Sequence, residues 1–259
     1  MTPLDQAHAA MEAAPDDDAA RLAFYGLFAA TELFLLLADE TDGDSVTPAL
    51  FEVEGAHYLL AFDLEERLSA FTGEITPYAA LPGRGLVHMV EGQGIGIAFN
   101  AELPSAVLIP PEAVDWLART LSEEPEQAEA RPKAISAPRN VPQSLLQALD
   151  QRLAAARGMA KEAYLAAVDY DTGVKGHILA VVDAAEGAEN AIATAVKEAL
   201  TFSGIEAGWL DVTFLRSGDA ALAAFAAAGL RFDLPQLEAA RPIPGAAPGM
   251  DPAKPPKLK

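Results

Sequence analysis

Four histidines, His8, His57, His88 and His177, and no cysteine set the limits on the chemistry available to this chain. Without a thiol there is no disulfide, no thiolate nucleophile and no Cys-ligated zinc or iron–sulfur cluster. The histidines fall on separate predicted elements, and none forms an H-x-x-x-H or H-E-x-x-H pair, so no metal is expected. His88 reads as semi-buried packing on a helix, and His177, beside Lys175, as the exposed start of a strand. Gly92-Gln93-Gly94-Ile95-Gly96 resembles a phosphate-binding glycine loop. Such a loop follows a strand and opens a helix, whose N-terminus receives the phosphate. Here a predicted helix precedes the glycines and a strand follows, so the run reads as a helix end and a tight turn.

Other candidates fare similarly. Asp39 to Asp44 places four carboxylates in six residues, yet the glycine is out of EF-hand register and no glutamate closes the loop. A solvated acidic turn is the simpler reading. Ser203-Gly204 lacks the upstream glycine of a nucleophile elbow. The pairs Glu65-Glu66 and Glu123-Glu124 are surface charge, the first on an amphipathic helix. No catalytic, cofactor-binding or metal residue is assigned, no cofactor is expected, and a non-enzymatic protein is favoured.

One group stands apart. Phe71-Thr72-Gly73, Tyr78, Leu81-Pro82-Gly83 and Asn100 are turn-type or polar residues at the edges of apolar elements. Asn100 ends a strand, and strand ends often line ligand clefts. Tyr78 and Asn100 are therefore the candidate ligand or interaction residues. A plain turn-supporting role for Asn100 is the competing reading.

The elements that must position them follow from hydrophobic spacing. Helices are expected at Leu4–Met11, Asp18–Phe28, Leu64–Phe71 and Gly85–Val90, with another opening at Pro110-Pro111-Glu112. Strands are expected at Glu32–Leu37, Gly94–Phe99 and Ala106–Ile109, and a hairpin through Glu54-Gly55 joins Leu50–Val53 to His57–Phe62. Further along, Leu145, Leu149 and Leu153 stripe a helix that starts near Pro142. Ala163–Val168, His177–Val182 and the alternating Trp209–Leu215 read as strands around a helix at Glu186–Leu200. Ser217 is expected to cap a helix carrying Leu222 and Phe225, stopped by Gly229, with a closing strand at Leu230–Phe232.

This is an α+β fold class: two small mixed domains, residues 1–121 and 141–240. Residues 122–140 hold three prolines, mixed charge and one sizeable aliphatic residue, Ile135, and read as a Pro-rich linker. Residues 241–259 read as a disordered Pro-rich tail ending in Lys254, Lys257 and Lys259.

Charge is polarised between these parts. The whole chain carries 38 acidic against 18 basic residues, a net −20. Residues 1–121 hold 20 acids against four arginines and no lysine, a net −16, whereas residues 141–259 carry only −3. Such a surface repels phosphate backbones and anionic lipid, so neither nucleic acid nor membrane is an expected partner. A basic protein is the partner this field would steer. The chain shows neither a secretory leader pattern nor a spanning apolar run, which makes a cytoplasmic location the expectation.

The order of signals resembles a known family. The run His57-Tyr58-Leu59-Leu60-Ala61-Phe62-Asp63-Leu64-Glu65-Glu66-Arg67-Leu68 is followed by Tyr78 and Leu81-Pro82-Gly83. Then come Gly94-Ile95-Gly96-Ile97-Ala98-Phe99-Asn100 and Leu108-Ile109-Pro110-Pro111. Together these resemble the N-terminal domain of the SseB family, the enhanced-serine-sensitivity proteins of bacteria. Val141-Pro142 with the leucine-striped helix, Ala163-Tyr164-Leu165-Ala166 and Asp211-Val212-Thr213-Phe214-Leu215 resemble that family's C-terminal domain. Two positions depart from the family pattern: Ala101 replaces the proline after the strand-ending asparagine, and Asp63 follows Phe62 where relatives often carry threonine. The resemblance implies a bacterial two-domain cytoplasmic protein and supplies no reaction and no catalytic residue. Two functions stay open: a binding or regulatory protein whose acidic first domain is an interaction surface, and an amino-acid sensor with a pocket near Tyr78 and Asn100.

Overall fold

The computed structural model describes residues 1–39, 46–123, 125, 131–205 and 209–236. The acidic run at residues 40–44, the tail 241–259 and part of the expected linker lie outside them. Two mixed sheets carry the chain, an α+β arrangement.

The first half opens with α1 (Pro3–Ala13) and α2 (Asp18–Ala30), then β1 (Glu32–Leu36), β2 (Leu50–Val53), β3 (Ala56–Phe62) and α3 (Glu65–Thr72). It continues through β4 (Tyr78–Pro82), α4 (Gly83–Val90), β5 (Ile95–Phe99), β6 (Val107–Ile109) and α5 (Pro111–Ser122). The strands are ordered β4-β1-β3-β5-β6, with β2 sharing an edge of β3. Only β3 and β5 run parallel. The hairpin from β2 to β3 turns through Glu54 and Gly55, both at positive φ (53° and 85°), the type I′ geometry that suits the strand twist.

Side-chain alternation then splits the sheet into two faces. Leu33, Leu35, Leu59, Ala61, Ile97 and Phe99 meet α1, α2, α4 and α5 in the main core. Phe34, Leu36, Tyr58, Leu60, Phe62 and Ala98 face the other way, where α3 covers them through Leu68 and Phe71.

In the second half, β7 (Pro132–Ser136) precedes α6 (Gln143–Ala155), β8 (Glu162–Tyr170), β9 (Lys175–Val182) and α7 (Glu189–Phe202). Then follow β10 (Leu210–Leu215), α8 (Leu222–Ala228) and β11 (Leu230–Asp233). The order is β10-β9-β8-β11, with β7 also paired to β8, and only β9 and β10 are parallel. Helices α6 and α7 cover one face and α8 the other.

Three expectations change here. Residues 132–136 are not a linker segment but β7, because Ile135 reaches the apolar face around Val168 and β8 offers a free edge. Tyr78 and Leu81-Pro82, expected as turn-type or polar residues at element edges, lie within an edge strand, Tyr78–Pro82, whose short Ala-rich sequence hides the alternation. Ser217 does not cap α8: its amide and hydroxyl bond Asp183, and the helix starts five residues later.

The halves meet through α2 and α7. A Cβ on Gly26 would stand 2.7 Å from Cβ and Cγ of Phe202, so glycine is what lets the helices approach. Phe202, on α7, is thereby buried in the core of the first half. Beside it Glu198 accepts from Arg84 of the first half (3.0 and 3.2 Å) and pairs with Arg152 of α6 at 3.1 Å. Arg152 also donates to the Gly26 carbonyl at 3.2 Å.

Candidate functional site

Asn100 and Tyr78 occupy different parts of the first sheet. Asn100 follows β5 with φ +49° and is wholly buried. Its Oδ1 accepts from the Asp63 amide at 3.2 Å and its Nδ2 donates to Ser105 Oγ at 3.1 Å. The backbone amide of Asn100 donates to the Ala61 carbonyl, so the residue ties the ends of the parallel strands β3 and β5 together.

The end of a parallel strand pair is where a ligand cleft would be sought. Here a charge network occupies it. Asp63 accepts from Arg67 at 2.8 Å and from the Thr2 hydroxyl at 2.6 Å. Arg67 grips Asp5 with two bonds of 2.8 and 2.6 Å. Thr2 and Asp5 are in turn the two halves of the capping box that starts α1. The Arg67 hydrogen bonds hold the Asp5 carboxyl well below the usual carboxylate range, and Asp5 and Asp63 push Arg67 upward. Asn100 therefore serves the joint between α1, α3 and two strands.

Tyr78 lies at the far edge, on β4, three strand positions from β5. Its ring meets Phe34 edge-on, centroids 5.6 Å apart, and remains 39% exposed. It closes a shallow cleft of about 360 Å³ lined by Glu65, Ser69, Gly73, Glu74, Ile75, Thr76 and Tyr78. Asn100 is not among the residues that line this cleft. Hydrogen bonding to Glu65 raises the Tyr78 phenol above its ordinary pKa. Gly73 ends α3 with φ +69°, after which the chain turns sharply. Thr72 and Thr76 hydroxyls both donate to the Glu74 carbonyl, fixing the turn that leaves Ile75 fully in solvent.

The histidines stay apart. His8 is buried edge-on to Phe24, and His57 lies exposed on β3. His88 is exposed, 3.5 Å from Glu91, and not the packing residue expected, because α4 turns Leu86, Val87 and Val90 inward instead. His177 is half-buried rather than exposed: it stacks on Trp209 at 3.8 Å, and burial pushes its pKa down. Among the described residues no group of three or more His, Asp or Glu is placed to hold a metal ion. No helix among them is long and apolar enough to cross a membrane.

Sequence reasoning missed two features. One is the Glu198–Arg84–Arg152 joint, whose partners are 46 and 114 residues from Glu198 in the chain. The other is the open edge of β4 beside the cleft. Only the proline that closes this strand, Pro82, hinted at an edge.

Neither a curated protein nor a solved structure matches the chain. Residues 4–116 match the family model described as SseB protein N-terminal domain. The matched span runs from the start of α1 into α5, taking in the whole first sheet, the charge network under Asn100 and the cleft at Tyr78. Over that span the chain is similar to the N-terminal domain of the SseB family.

Proposed function

We propose that this protein is a non-enzymatic, cytoplasmic binding or regulatory protein whose acidic first domain presents its surface to a basic protein partner. One observation carries the reading: the net −16 of residues 1–121 has almost no local relief. The first half has four arginines and no lysine. Arg67 is taken by Asp5 and Asp63, Arg84 by Glu198 and Arg21 by Asp18, while Arg119 donates to the Asp115 carbonyl. The remaining carboxylates project a field that speeds encounter with cationic surfaces and weakens with salt. In this reading residues 141–240, with β7 added to their sheet, form a C-terminal SseB-type domain, and no cofactor takes part.

The test is binding of full-length protein to cationic proteins of known structure at low and high salt. Exchange of first-domain carboxylates for amides should weaken binding, whereas the same number of exchanges in the second domain should not. Equal effects from both sets would refute the reading.

The cleft at Tyr78 supports a second reading, a small-molecule sensor for an amino acid. A thermal-shift screen checks it: binding should raise the melting temperature, and a flat response to serine and its relatives would remove it.

A further inference from the structure

The outer edge of β4 is open in a defined register. The Leu37 amide bonds the Pro77 carbonyl at 3.1 Å, and the Gly83 amide bonds the Thr31 carbonyl at 2.9 Å. Between these two bonds the antiparallel register pairs Leu35 with Ala79 and Leu33 with Leu81. Hydrogen-bonded and open positions alternate in such a ladder. Residues 79 and 81 therefore spend their backbone groups on β1, while Tyr78 and Ala80 turn theirs outward. β4 ends the strand order, and among the described residues no other strand pairs with it. Pro82 ends the edge by removing the next outward donor.

The same edge borders the cleft on the α3 side. Its Glu65 and Glu74 carboxylates make no ion pair among the described residues, and Arg67, on the same helix, is held by Asp5 and Asp63. The Tyr78 ring is steadied by Phe34 and exposes its surface, and Ile75 stands fully in solvent at the rim. A cationic side chain entering here would meet two carboxylates and an aromatic ring, with apolar surface for its stem.

We propose that a partner segment in extended conformation adds to the first sheet along β4, pairing with Tyr78 and Ala80 and seating a lysine or arginine side chain in the cleft formed by Glu65, Glu74 and Tyr78. This rests on the reading of a basic protein partner and gives that partner a mode of attachment. Backbone pairing fixes direction and register, and the cleft selects for charge. A surface field alone would hold any cationic chain without register.

The probe is a capped peptide of alternating lysine and valine, titrated into full-length protein by fluorescence anisotropy. Two comparison peptides are the same sequence N-methylated at alternate residues and a glutamate–valine version. The expected results are at least tenfold weaker binding of the N-methylated peptide and no binding of the acidic one. Ala80→Pro removes the outward amide without touching the β1 ladder, and it should weaken the parent peptide by a similar factor. Glu65→Gln with Glu74→Gln should weaken binding about fivefold and flatten its salt dependence.

Parent-like binding of the N-methylated peptide would overturn edge pairing whatever the folding of Ala80→Pro. If the basic peptide binds but neither Ala80→Pro nor the cleft exchanges alter it, this inference fails and the partner reading stands. If no basic peptide binds at low salt, both fail.

Discussion

Replacing Glu198 with alanine should uncouple the two halves of the molecule. The Glu198 side chain is 6% exposed and faces two arginines, Arg152 at 17% and Arg84 at 39% exposure. The Arg84 pair is half in water, and such pairs contribute at most about 1 kcal/mol. Arg152 differs, because burial already disfavours its charge and the Arg84 charge adds to the strain. Without Glu198 it keeps, among the described residues, only the Gly26 carbonyl. Breaking a buried pair by removing one partner costs about 3–5 kcal/mol. That is a large part of the roughly 5–15 kcal/mol that holds a domain folded. The loss falls at the α2–α7 joint, where Phe202 of the second half completes the core of the first.

The chain supplies its own reporters. Trp116 packs on Tyr25 in the first half, and Trp209 stacks on His177 in the second. With Trp209→Phe or Trp116→Phe in the background, urea unfolding followed by fluorescence reads one half at a time. The two curves should coincide in the parent and separate in Glu198→Ala. Glu198→Leu combined with Arg152→Met should recover most of the loss, since an apolar pair replaces a buried ionic one at little cost. Coincident curves within about 1 kcal/mol of the parent would refute the argument that this ion cluster couples the halves.

Three further outcomes follow from the same geometry. Asn100→Ala leaves the buried Asp63 amide unpaired and puts a non-Asn residue at φ +49°, so urea denaturation should show a loss of about 2–4 kcal/mol. Gly96→Ala places a Cβ 2.4 Å from Tyr58 Cε1 and 2.7 Å from the Ile109 carbonyl, and should lower stability by about 1–3 kcal/mol. Trimming Tyr58 should rescue it only in part, because the carbonyl cannot retreat. Stability should also fall at both ends of the pH scale, as thermal unfolding can follow. Asp5 has a depressed pKa, so its contribution is present above the unfolded value of about 3.9 and fades as pH falls below it. Burial, then the bond to Asp211, raises the Tyr170 phenol, so its contribution is present below the unfolded value of about 10 and fades as pH rises past it. Asp5→Asn should flatten the acid limb and Tyr170→Phe the alkaline limb.

What could be read from the chain follows the range of the forces involved. The leucine stripe of α6 and the Glu54-Gly55 hairpin are local, set by spacing and by backbone preference, and they stand where those rules put them. β7 and β4 depend on a distant strand edge being free, which no local pattern records, and their Ala- and Pro-containing sequences carry little alternation. Asn100 shows the limit for the site. Its place at a strand end was legible, but whether that end is open or plugged depends on Arg67 and on Asp5, 62 residues earlier. Tyr78, expected as a turn-type or polar residue beside an apolar element, lies on an edge strand, which alters what it can bind. A turn offers a side chain, whereas an edge also offers an amide and a carbonyl in a fixed register. With only two residues open before Pro82, the backbone pairing is short, so the carboxylates and ring beside it must add to the affinity and select for charge. Recognition there should therefore be sensitive to salt in strength and to backbone methylation in register.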